Sequence, residues 1–242
     1  MSSTEGIWYS YWGTAYTGSY AAFTDPHEFT WALWAEENFA RIRADIETRL
    51  NTQGHTLKPY FYGSLVSRPD AWKVEPFYFW GQRNDAACKS IPALDELFAR
   101  IPGLTSAALS VLDAESDIHA HYGDTNAIVR CHFGLQIPGE LPDCGLEVNG
   151  KQRAWEEGRW LMFCDAHLHR AWNHTPHTRY VLIVDVLRPE FEKSKTEICA
   201  NVRSMLDLQA LEQTYPLVKR LPGKLRGIIR RILKRRILAR LK

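Results

Sequence analysis

Apolar residues recur at helical spacing in three stretches of the chain. Between the second and the third stretch they form short runs instead. Residues 25–52 open with Asp25-Pro26, a capping residue followed by a proline that suits the first turn, and continue with apolar residues three or four positions apart. The same spacing is found over 91–101 and 194–214. The pattern therefore predicts three helices, of which the first and the last flank the rest of the chain.

Between Thr105 and Val186 the apolar runs become short and are separated by turn-forming residues, which is typical of β-strands. Asn149-Gly150 predicts a tight hairpin, because both residues accept positive φ angles. The predicted strands are Ala107–Leu112, Ile118–Tyr122, Ala127–Ile137, Gly145–Val148, Lys151–Trp155, Arg159–Phe163 and Tyr180–Leu187. So many short strands in succession favour a mainly β sandwich or barrel with flanking α-helices.

The composition is that of one ordinary globular domain, and the distribution of charge changes the picture only near the C-terminal end. The chain has 242 residues, of which 45% are hydrophobic and 24% are charged, and its net charge is +2. Eleven Lys or Arg residues and no Asp or Glu fall between Lys219 and Lys242, which leaves 19 basic and 28 acidic residues in the rest of the chain. This asymmetry suggests that the basic tail has a partner of its own.

The five cysteines are odd in number and show no Cys-x-x-Cys spacing. The first residues are polar, and no apolar run approaches the roughly 20 residues that span a bilayer. These features predict a reduced cytoplasmic protein with free thiols. A peripheral position on the inner face of a membrane is the alternative that the basic tail allows.

Seven of the nine histidines fall between residues 119 and 177, inside the strand-rich region. Clustered imidazoles can hold iron, zinc or copper, whereas most single histidines are surface or hydrogen-bonded core residues, and for this cluster both interpretations stay open. His121 and His169 are 48 residues apart at the ends of strand-like segments, and Arg179 follows ten residues later. Two imidazoles and a planar guanidinium in this order suit a metal site beside a fork for a carboxylate.

Alternation along the strand that starts at Ala127 places Arg130 and His132 on one face. Directed inward, they would lie beside an anionic ligand. Directed outward, they would form an exposed basic face, which the spacing alone slightly favours. His119 and His167 each lie two residues before a candidate metal ligand, and we expect them to be structural or surface residues rather than groups of the site.

Several ordered motifs between Trp72 and Pro189 resemble the catalytic domain of aspartyl/asparaginyl β-hydroxylases. The motifs that carry the resemblance are Gly81-Gln82-Arg83-Asn84, Cys88-Lys89, His121-Tyr122-Gly123-Asp124-Thr125-Asn126, Arg130-Cys131-His132-Phe133-Gly134-Leu135, Trp155-Glu156-Glu157-Gly158, Asp165-Ala166-His167-Leu168-His169 and the run from Arg179 to Pro189. The resemblance implies a double-stranded β-helix, also called a jelly roll and cupin-like, with flanking α-helices.

The same resemblance implies that His121 and His169 bind iron(II), with 2-oxoglutarate and O2 as cosubstrates. The residues that it assigns to contacts with 2-oxoglutarate are Arg179, Arg130, His132 and, more weakly, Ser110. Most related oxygenases complete the metal site with a carboxylate two residues after the first histidine, where this chain has Gly123. Glycine has no side chain, so water could fill the vacant position, and direct ligation by Asp124 is the less expected alternative.

The implied function is a hydroxylase of an aspartyl or asparaginyl residue or a related amino-acid group. Two alternatives stay open: a hydroxylase of a lipid-linked or saccharide substrate at a membrane surface, and a non-catalytic metal-binding jelly roll that acts as a sensor. The implied organisation is a single oxygenase domain over 1–215, with a catalytic core at about 72–190 and flanking helices at 25–52 and 194–214, followed by a basic amphipathic tail over 216–242.

The tail alternates cationic and aliphatic residues, and its aliphatic residues from Leu221 to Leu233 are predicted to form one helical stripe. Such a helix can lie on an anionic membrane surface or bind an acidic partner, and nucleic acid is the less expected partner. The alternatives are a solvated tail and a helix docked on the acidic body of the protein.

Overall fold

The computed structural model describes residues 5–52 and 57–241, so the first four residues and Lys242 of the predicted tail lie outside the described residues. Within these ranges the strands are β1 (Phe23–Thr24), β2 (Lys58–Pro59), β3 (Trp72–Phe79), β4 (Gln82–Arg83), β5 (Leu104–Leu112), β6 (Ser116–His121), β7 (Ile128–Gln136), β8 (Cys144–Val148), β9 (Lys151–Arg153), β10 (Trp160–Phe163), β11 (His169–Asn173) and β12 (Arg179–Leu187).

The described strands form two antiparallel sheets. The larger sheet has the order β1-β10-β7-β12-β5-β3-β2, with β4 paired to β3, and the smaller sheet has the order β6-β11-β8-β9. From β5 to β12 the chain passes back and forth between the two sheets, which is the winding of a double-stranded β-helix. The jelly-roll fold that the sequence predicts is therefore confirmed.

The central strands of the larger sheet are covered on both faces. β7 and β12 are buried along almost their whole length, so their sequences are nearly continuous apolar runs rather than alternating ones. One apolar core contains side chains from both sheets, including Leu112, Leu146 and Phe163. A second core joins the larger sheet to the N-terminal helices and includes Phe133 and Ile42. The cavity described below lies in the first of these cores.

Helices surround the two sheets. They are α1 (Thr30–Glu37), α2 (Phe39–Thr52), α3 (Asp85–Lys89), α4 (Pro92–Arg100), α5 (Lys195–Thr214), α6 (Pro216–Lys219) and α7 (Gly223–Leu241). Short 3-10 helices add Ser10–Trp12, Pro26–Glu28, Gly63–Leu65 and Pro189–Ser194. The bounds of α4 and α5 agree within one residue with the predicted helices over 91–101 and 194–214. None of the described helices is long and apolar enough to cross a membrane.

The prediction of one continuous helix over 25–52 is wrong, because the segment is divided. Asp25 does act as a cap, since its side chain accepts a hydrogen bond from His27 N, but only a 3-10 turn follows it. Asn38 then separates α1 from α2. Its side-chain amide donates to Trp34 O over 2.8 Å and competes with the helical backbone bonds.

The sequence prediction lacks two strands that matter for the site. β3 contains Pro76, which cannot donate to a strand ladder, and the register of β3 against β5 shifts just after it. β11 begins at His169 itself and carries polar residues that hide its strand character. All five cysteines are buried as free thiols, as the sequence predicts.

Candidate metal and cosubstrate site

The pairing of β6 with β11 places His121 and His169 side by side at one end of the smaller sheet. The two residues are opposite each other in the antiparallel register, and their ring centroids are 4.2 Å apart. His121 Nδ1 lies 2.8 Å from His119 O, and His169 Nδ1 lies 2.9 Å from His167 O. Each Nδ1–H donates to a carbonyl, so each Nε2 keeps a lone pair that can bind a metal ion.

His119 and His167 thus orient the pair through their backbone, while their own side chains point elsewhere. The exposed His119 has Nδ1 3.4 Å from Ser64 O, and His167 Nε2 lies 2.8 Å from Tyr20 O. The two residues have the structural or surface positions that the sequence predicts.

Burial keeps the imidazoles of the site neutral. Desolvation lowers the pKa of His121 to about 4, and it lowers the pKa of His169 well below its ordinary value. The positive charge of Arg130 acts in the same direction on both groups. Neutral imidazole is the form that binds metal ions, so the pair can accept a cation at neutral pH without first losing a proton.

Arg179, at the start of β12, is a buried cation without hydrogen-bond partners for Nε and Nη1 among the described residues. Only 1% of the residue is exposed. Its guanidinium carbon lies 4.3 Å from the centroid of the Trp155 ring, which supports the group on one side. Desolvation lowers the pKa of Arg179 to about 10, so the residue remains charged at neutral pH. An unpaired buried cation is costly, which indicates that an anionic ligand binds here.

His132, on β7, offers a second donor to the same space. Trp155 Nε1 can only donate a hydrogen bond and lies 3.3 Å from His132 Nδ1, so Nδ1 accepts and the proton is on Nε2. That Nε2 is buried and has no partner in the described part of the chain. His132 and Arg130 both line the cavity, so the outward orientation that spacing alone slightly favours is wrong.

Arg130 differs from Arg179 because its guanidinium already faces two carboxylates. Nε and Nη2 donate to the two oxygens of Asp185 over 2.8 and 2.9 Å, and Nη1 lies 3.1 Å from Asp165 Oδ2. The register of β12 against β7 places Asp185 opposite Arg130. The predicted contact between Arg130 and a carboxylate cosubstrate would have to compete with these ion pairs.

A carboxylate from another segment fills the space beside Gly123. A Cβ added to Gly123 would lie 2.1 Å from Asp165 Oδ2, so only glycine leaves room for that side chain. Gly123 N also donates to Asp165 O over 2.7 Å, which fixes the two segments together. Burial raises the pKa of Asp165, and Arg130 opposes that rise. The Asp165 carboxylate thus fills the space that a side chain at position 123 would need, and water as a metal ligand stays a prediction.

All six predicted site residues line one small cavity of about 30 Å³. They are Ser110, His121, Arg130, His132, His169 and Arg179. The hydroxyl of Ser110 accepts a hydrogen bond from Trp72 Nε1 over 2.9 Å and is fully buried. Apolar side chains, among them Leu146 and Phe163, complete the walls. The structure therefore brings together residues that are distant in the sequence.

A second cleft, of about 240 Å³, adjoins the cavity. His121 and Arg130 line both spaces, and the walls of the cleft include Tyr60, Tyr62 and Asp124. Burial raises the pKa of Asp124 to about 6, and Arg130 opposes the shift. Asp124 lines this cleft and not the smaller cavity. A substrate can approach the histidine pair through the cleft.

The donor set fits a divalent metal with open coordination positions and an anion bound beside it. Across 5–52 and 57–241, no group of three or more His, Cys, Asp or Glu side chains is arranged to hold an ion. The cavity instead offers two neutral Nε2 atoms, an unpaired guanidinium and an unpaired imidazole N–H. This combination suits an oxygenase that needs a metal and a carboxylate cosubstrate in one site.

The fold is a double-stranded β-helix whose cavity is lined by histidine and arginine side chains. Residues 36–189, more than half of the chain, match the aspartyl/asparaginyl β-hydroxylase family. The protein belongs to this family, and the resemblance that its sequence motifs indicate is confirmed.

Three relatives show how far the similarity extends. An ornithine lipid ester-linked acyl 2-hydroxylase from Rhizobium tropici is 33% identical over 170 residues, which cover 68% of this chain and 60% of that protein. Aspartate beta-hydroxylase domain-containing protein 2 from Xenopus tropicalis is 32% identical over 173 residues, or 64% of this chain and 43% of that protein. Human aspartyl/asparaginyl beta-hydroxylase is 34% identical over 124 residues, which cover 49% of this chain and 16% of that protein. The chain spans less than two thirds of each relative.

Solved structures with similar folds are more distant in sequence. A prolyl-4-hydroxylase from Pseudomonas putida has a TM-score of 0.43 and 16% identity, and the similarity covers 66% of this chain and 99% of that one. The cupin domain of an XRE family transcriptional regulator from Enterobacter cloacae has a TM-score of 0.34 and 11% identity. The similarity covers 49% of this chain and 98% of that one.

Proposed function

We propose that the protein is an iron(II)- and 2-oxoglutarate-dependent hydroxylase. The observation that supports this most directly is the buried guanidinium of Arg179, unpaired at Nε and Nη1 among the described residues, in the same cavity as the imidazoles of His121 and His169. A dicarboxylate that binds a metal through one end needs a cation at its other end. The cavity has groups for both ends.

The side chains divide the work of binding between them. His121 and His169 hold the metal through Nε2, and the carbonyls that accept from Nδ1 keep both rings in place. Arg179 binds the distal carboxylate of 2-oxoglutarate, and His132 adds its Nε2–H as a second donor. Bound iron(II), with 2-oxoglutarate and O2, supplies the oxidation of a C–H bond that no side chain can perform alone.

Asp165 provides a carboxylate beside the histidine pair, although it stands outside the usual His-x-Asp arrangement. Its two oxygens have no hydrogen-bond partner among the described residues, and Arg130 Nη1 lies 3.1 Å from Oδ2 as an ion pair. The carboxylate therefore helps to fix the guanidinium of Arg130, which lines the cavity. In this proposal Gly123 is required because it makes room for Asp165.

The first substrate class to test is an aspartyl or asparaginyl residue or a related amino-acid group, since the family bears this name. A lipid-linked substrate is a second candidate. Three tyrosine rings, those of Tyr60, Tyr62 and Tyr122, line the cleft beside His121 among mostly polar side chains and offer contacts to an acyl chain. The relative from Rhizobium tropici is named for the hydroxylation of a lipid acyl chain.

Succinate release in the presence of iron(II) and 2-oxoglutarate tests this function against amino acids, Asp- and Asn-containing peptides, and lipids. We expect the variant His121→Ala/His169→Ala to lose all succinate release because it has no metal ligands. The control His174→Ala/His177→Ala changes two exposed histidines outside the cavity and should keep wild-type activity. Turnover that persists without His121 and His169 would refute the assigned ligands. No turnover together with no 2-oxoglutarate binding would favour a non-catalytic metal-binding jelly roll.

A further inference from the structure

Helix α7 has two apolar faces rather than the single stripe that the sequence predicts. Ile237 is buried and Leu241 packs against an apolar cluster of the body, so one face is covered, mainly by α5. Leu225, Ile228 and Ile232 point the other way and are 46%, 44% and 46% exposed. Their spacing by three and four residues aligns them along the helix.

Cations border these three exposed aliphatic residues. Lys224, Arg231, Arg235 and Arg236 are exposed, and none of them forms an ion pair with a carboxylate in the described ranges. Together with the three aliphatic residues they make up a surface that we term the outer face of α7. It combines positive charge with apolar surface and has no partner within the described chain.

Other cations of the same helix hold it on the body. Arg226 Nε lies 2.6 Å from Glu212 Oε1, and Lys234 pairs with Glu197, both on α5. A freely solvated tail is therefore not what the structure shows. The sequence also allows a helix docked on acidic residues of the body. Arg226 and Lys234 form such contacts, and they leave the outer face of α7 uncovered.

Helix α7 contacts the N-terminal segment that borders the cleft. The Arg230 guanidinium is 4.6 Å from the centroid of the Tyr11 ring, and Ser10 lines the cleft. On α5, Gln209 bonds the hydroxyl of Tyr62 in the cleft wall. Three exposed aromatic residues belong to the same segments: Trp12, Phe61 and Tyr122. Aromatic side chains of this kind are enriched where proteins meet the headgroup region of a bilayer.

We propose that the outer face of α7 docks on the surface of an anionic phospholipid bilayer. Cations attract anionic headgroups, and aliphatic side chains between them enter the headgroup boundary. The chain before Lys219 has 19 basic and 28 acidic residues, so the attraction is concentrated on this helix. A nucleic acid or an acidic protein would use the cations but would leave the aliphatic row without a role.

Co-sedimentation of the full chain with vesicles tests the proposal. We expect binding to vesicles of phosphatidylglycerol and phosphatidylcholine, and none to phosphatidylcholine alone. Arg231→Gln/Arg235→Gln should weaken binding by about thirty-fold because two cations near the surface are lost. Ile228→Ser/Ile232→Ser should weaken it by about tenfold or more because apolar burial is lost.

The matched control is Lys89→Gln/Lys151→Gln, which removes the same charge from exposed positions on α3 and β9 and should leave binding unchanged. Equal binding of all variants, or equal binding to neutral and anionic vesicles, would overturn the proposal. Binding that ignores the Ile228 and Ile232 changes but follows heparin or RNA competition would overturn it in favour of a polyanionic partner. Vesicle binding needs neither iron(II) nor 2-oxoglutarate, so its failure would leave the hydroxylase function standing.

Discussion

At the scale of single residues, the site consists of polar groups that are buried before any ligand binds. The sequence predicts His121, His169 and Arg179, because their order and spacing form a recognisable motif set. It does not predict Asp165, which is 42 residues from Gly123 and meets it only through the folded chain. The signal in the sequence is weak: a glycine where a carboxylate is usual, and an aspartate four residues before the second histidine.

Gly123→Ala tests the contact with Asp165. The added methyl group would meet the carboxylate at 2.1 Å, so we expect a loss of about 1–3 kcal/mol in the free energy of unfolding. Adding Asp165→Ala removes the clash, so the double variant should be less destabilised than the sum of the two single changes. Urea denaturation measures both effects.

Gly63→Ala serves as the control for this pair, because nothing lies within 4 Å of the added Cβ there. Strict additivity of Gly123→Ala and Asp165→Ala would show that the two side chains do not share this space.

At the scale of secondary-structure elements, the pairing of β6 with β11 brings His121 and His169 together, and the sequence predicts only the first of these strands. Apolar periodicity identifies α4 well because that helix buries one face, and it also finds α5, whose buried residues lie on more than one side. It fails for the segment 25–52, where the side chain of Asn38 interrupts the helix. Apolar periodicity also fails to show the two faces of α7. The apolar residues of the two faces are close together in the sequence, so their spacing alone does not separate them.

The two faces of α7 should differ in their contribution to stability. Ile237→Ala removes a buried side chain, 4% exposed, and should lower the free energy of unfolding by about 2–5 kcal/mol. Ile228→Ala changes a side chain that is 44% exposed and should stay within about 0.5 kcal/mol of the wild type. Urea denaturation of both variants measures the contrast, and equal losses would show that α7 is not docked as described.

At the scale of the whole molecule, the order of the motifs is sufficient to predict the jelly roll. It also predicts six site residues, which the folded chain brings to one cavity. The sequence does not distinguish the two arginines, because the difference arises from their neighbours in space. Arg130 is held by Asp185 and Asp165, whereas Arg179 has unpaired donors among the described residues. That difference depends on strand register, which local sequence patterns do not specify.

Stability without metal should depend on pH through the buried imidazoles. The pKa of His121 is lowered to about 4 in the folded chain, so between pH 4 and its ordinary value near 6.5 the unfolded chain binds more protons. The contribution of His121 to stability is therefore present above about pH 6.5 and is lost as the pH falls toward 4. The pKa of Asp124 is raised to about 6, so this carboxyl favours the folded chain as the pH falls and opposes the effect of His121. The contribution of His121 is therefore measured as the difference in stability between the wild type and a His121 variant.

With a chelator present, the free energy of unfolding of the wild type relative to His121→Gln should decrease by up to about 1.4 kcal/mol per pH unit from pH 6.5 toward 4. His174→Gln, at an exposed histidine, is the control and should not reproduce this dependence. A wild-type-to-variant difference that is constant with pH would show that His121 is not desolvated in the metal-free fold.

The central claim is that the histidine pair and Arg179 form one binding site for iron(II) and 2-oxoglutarate. Calorimetric titration of 2-oxoglutarate without O2, with and without iron(II), tests it most directly. We predict binding that requires iron(II), disappears in His121→Ala/His169→Ala, and weakens by about tenfold or more in Arg179→Met, while the exposed Arg170→Met behaves as wild type. Unchanged 2-oxoglutarate binding after loss of both histidines or of Arg179 would contradict the claim.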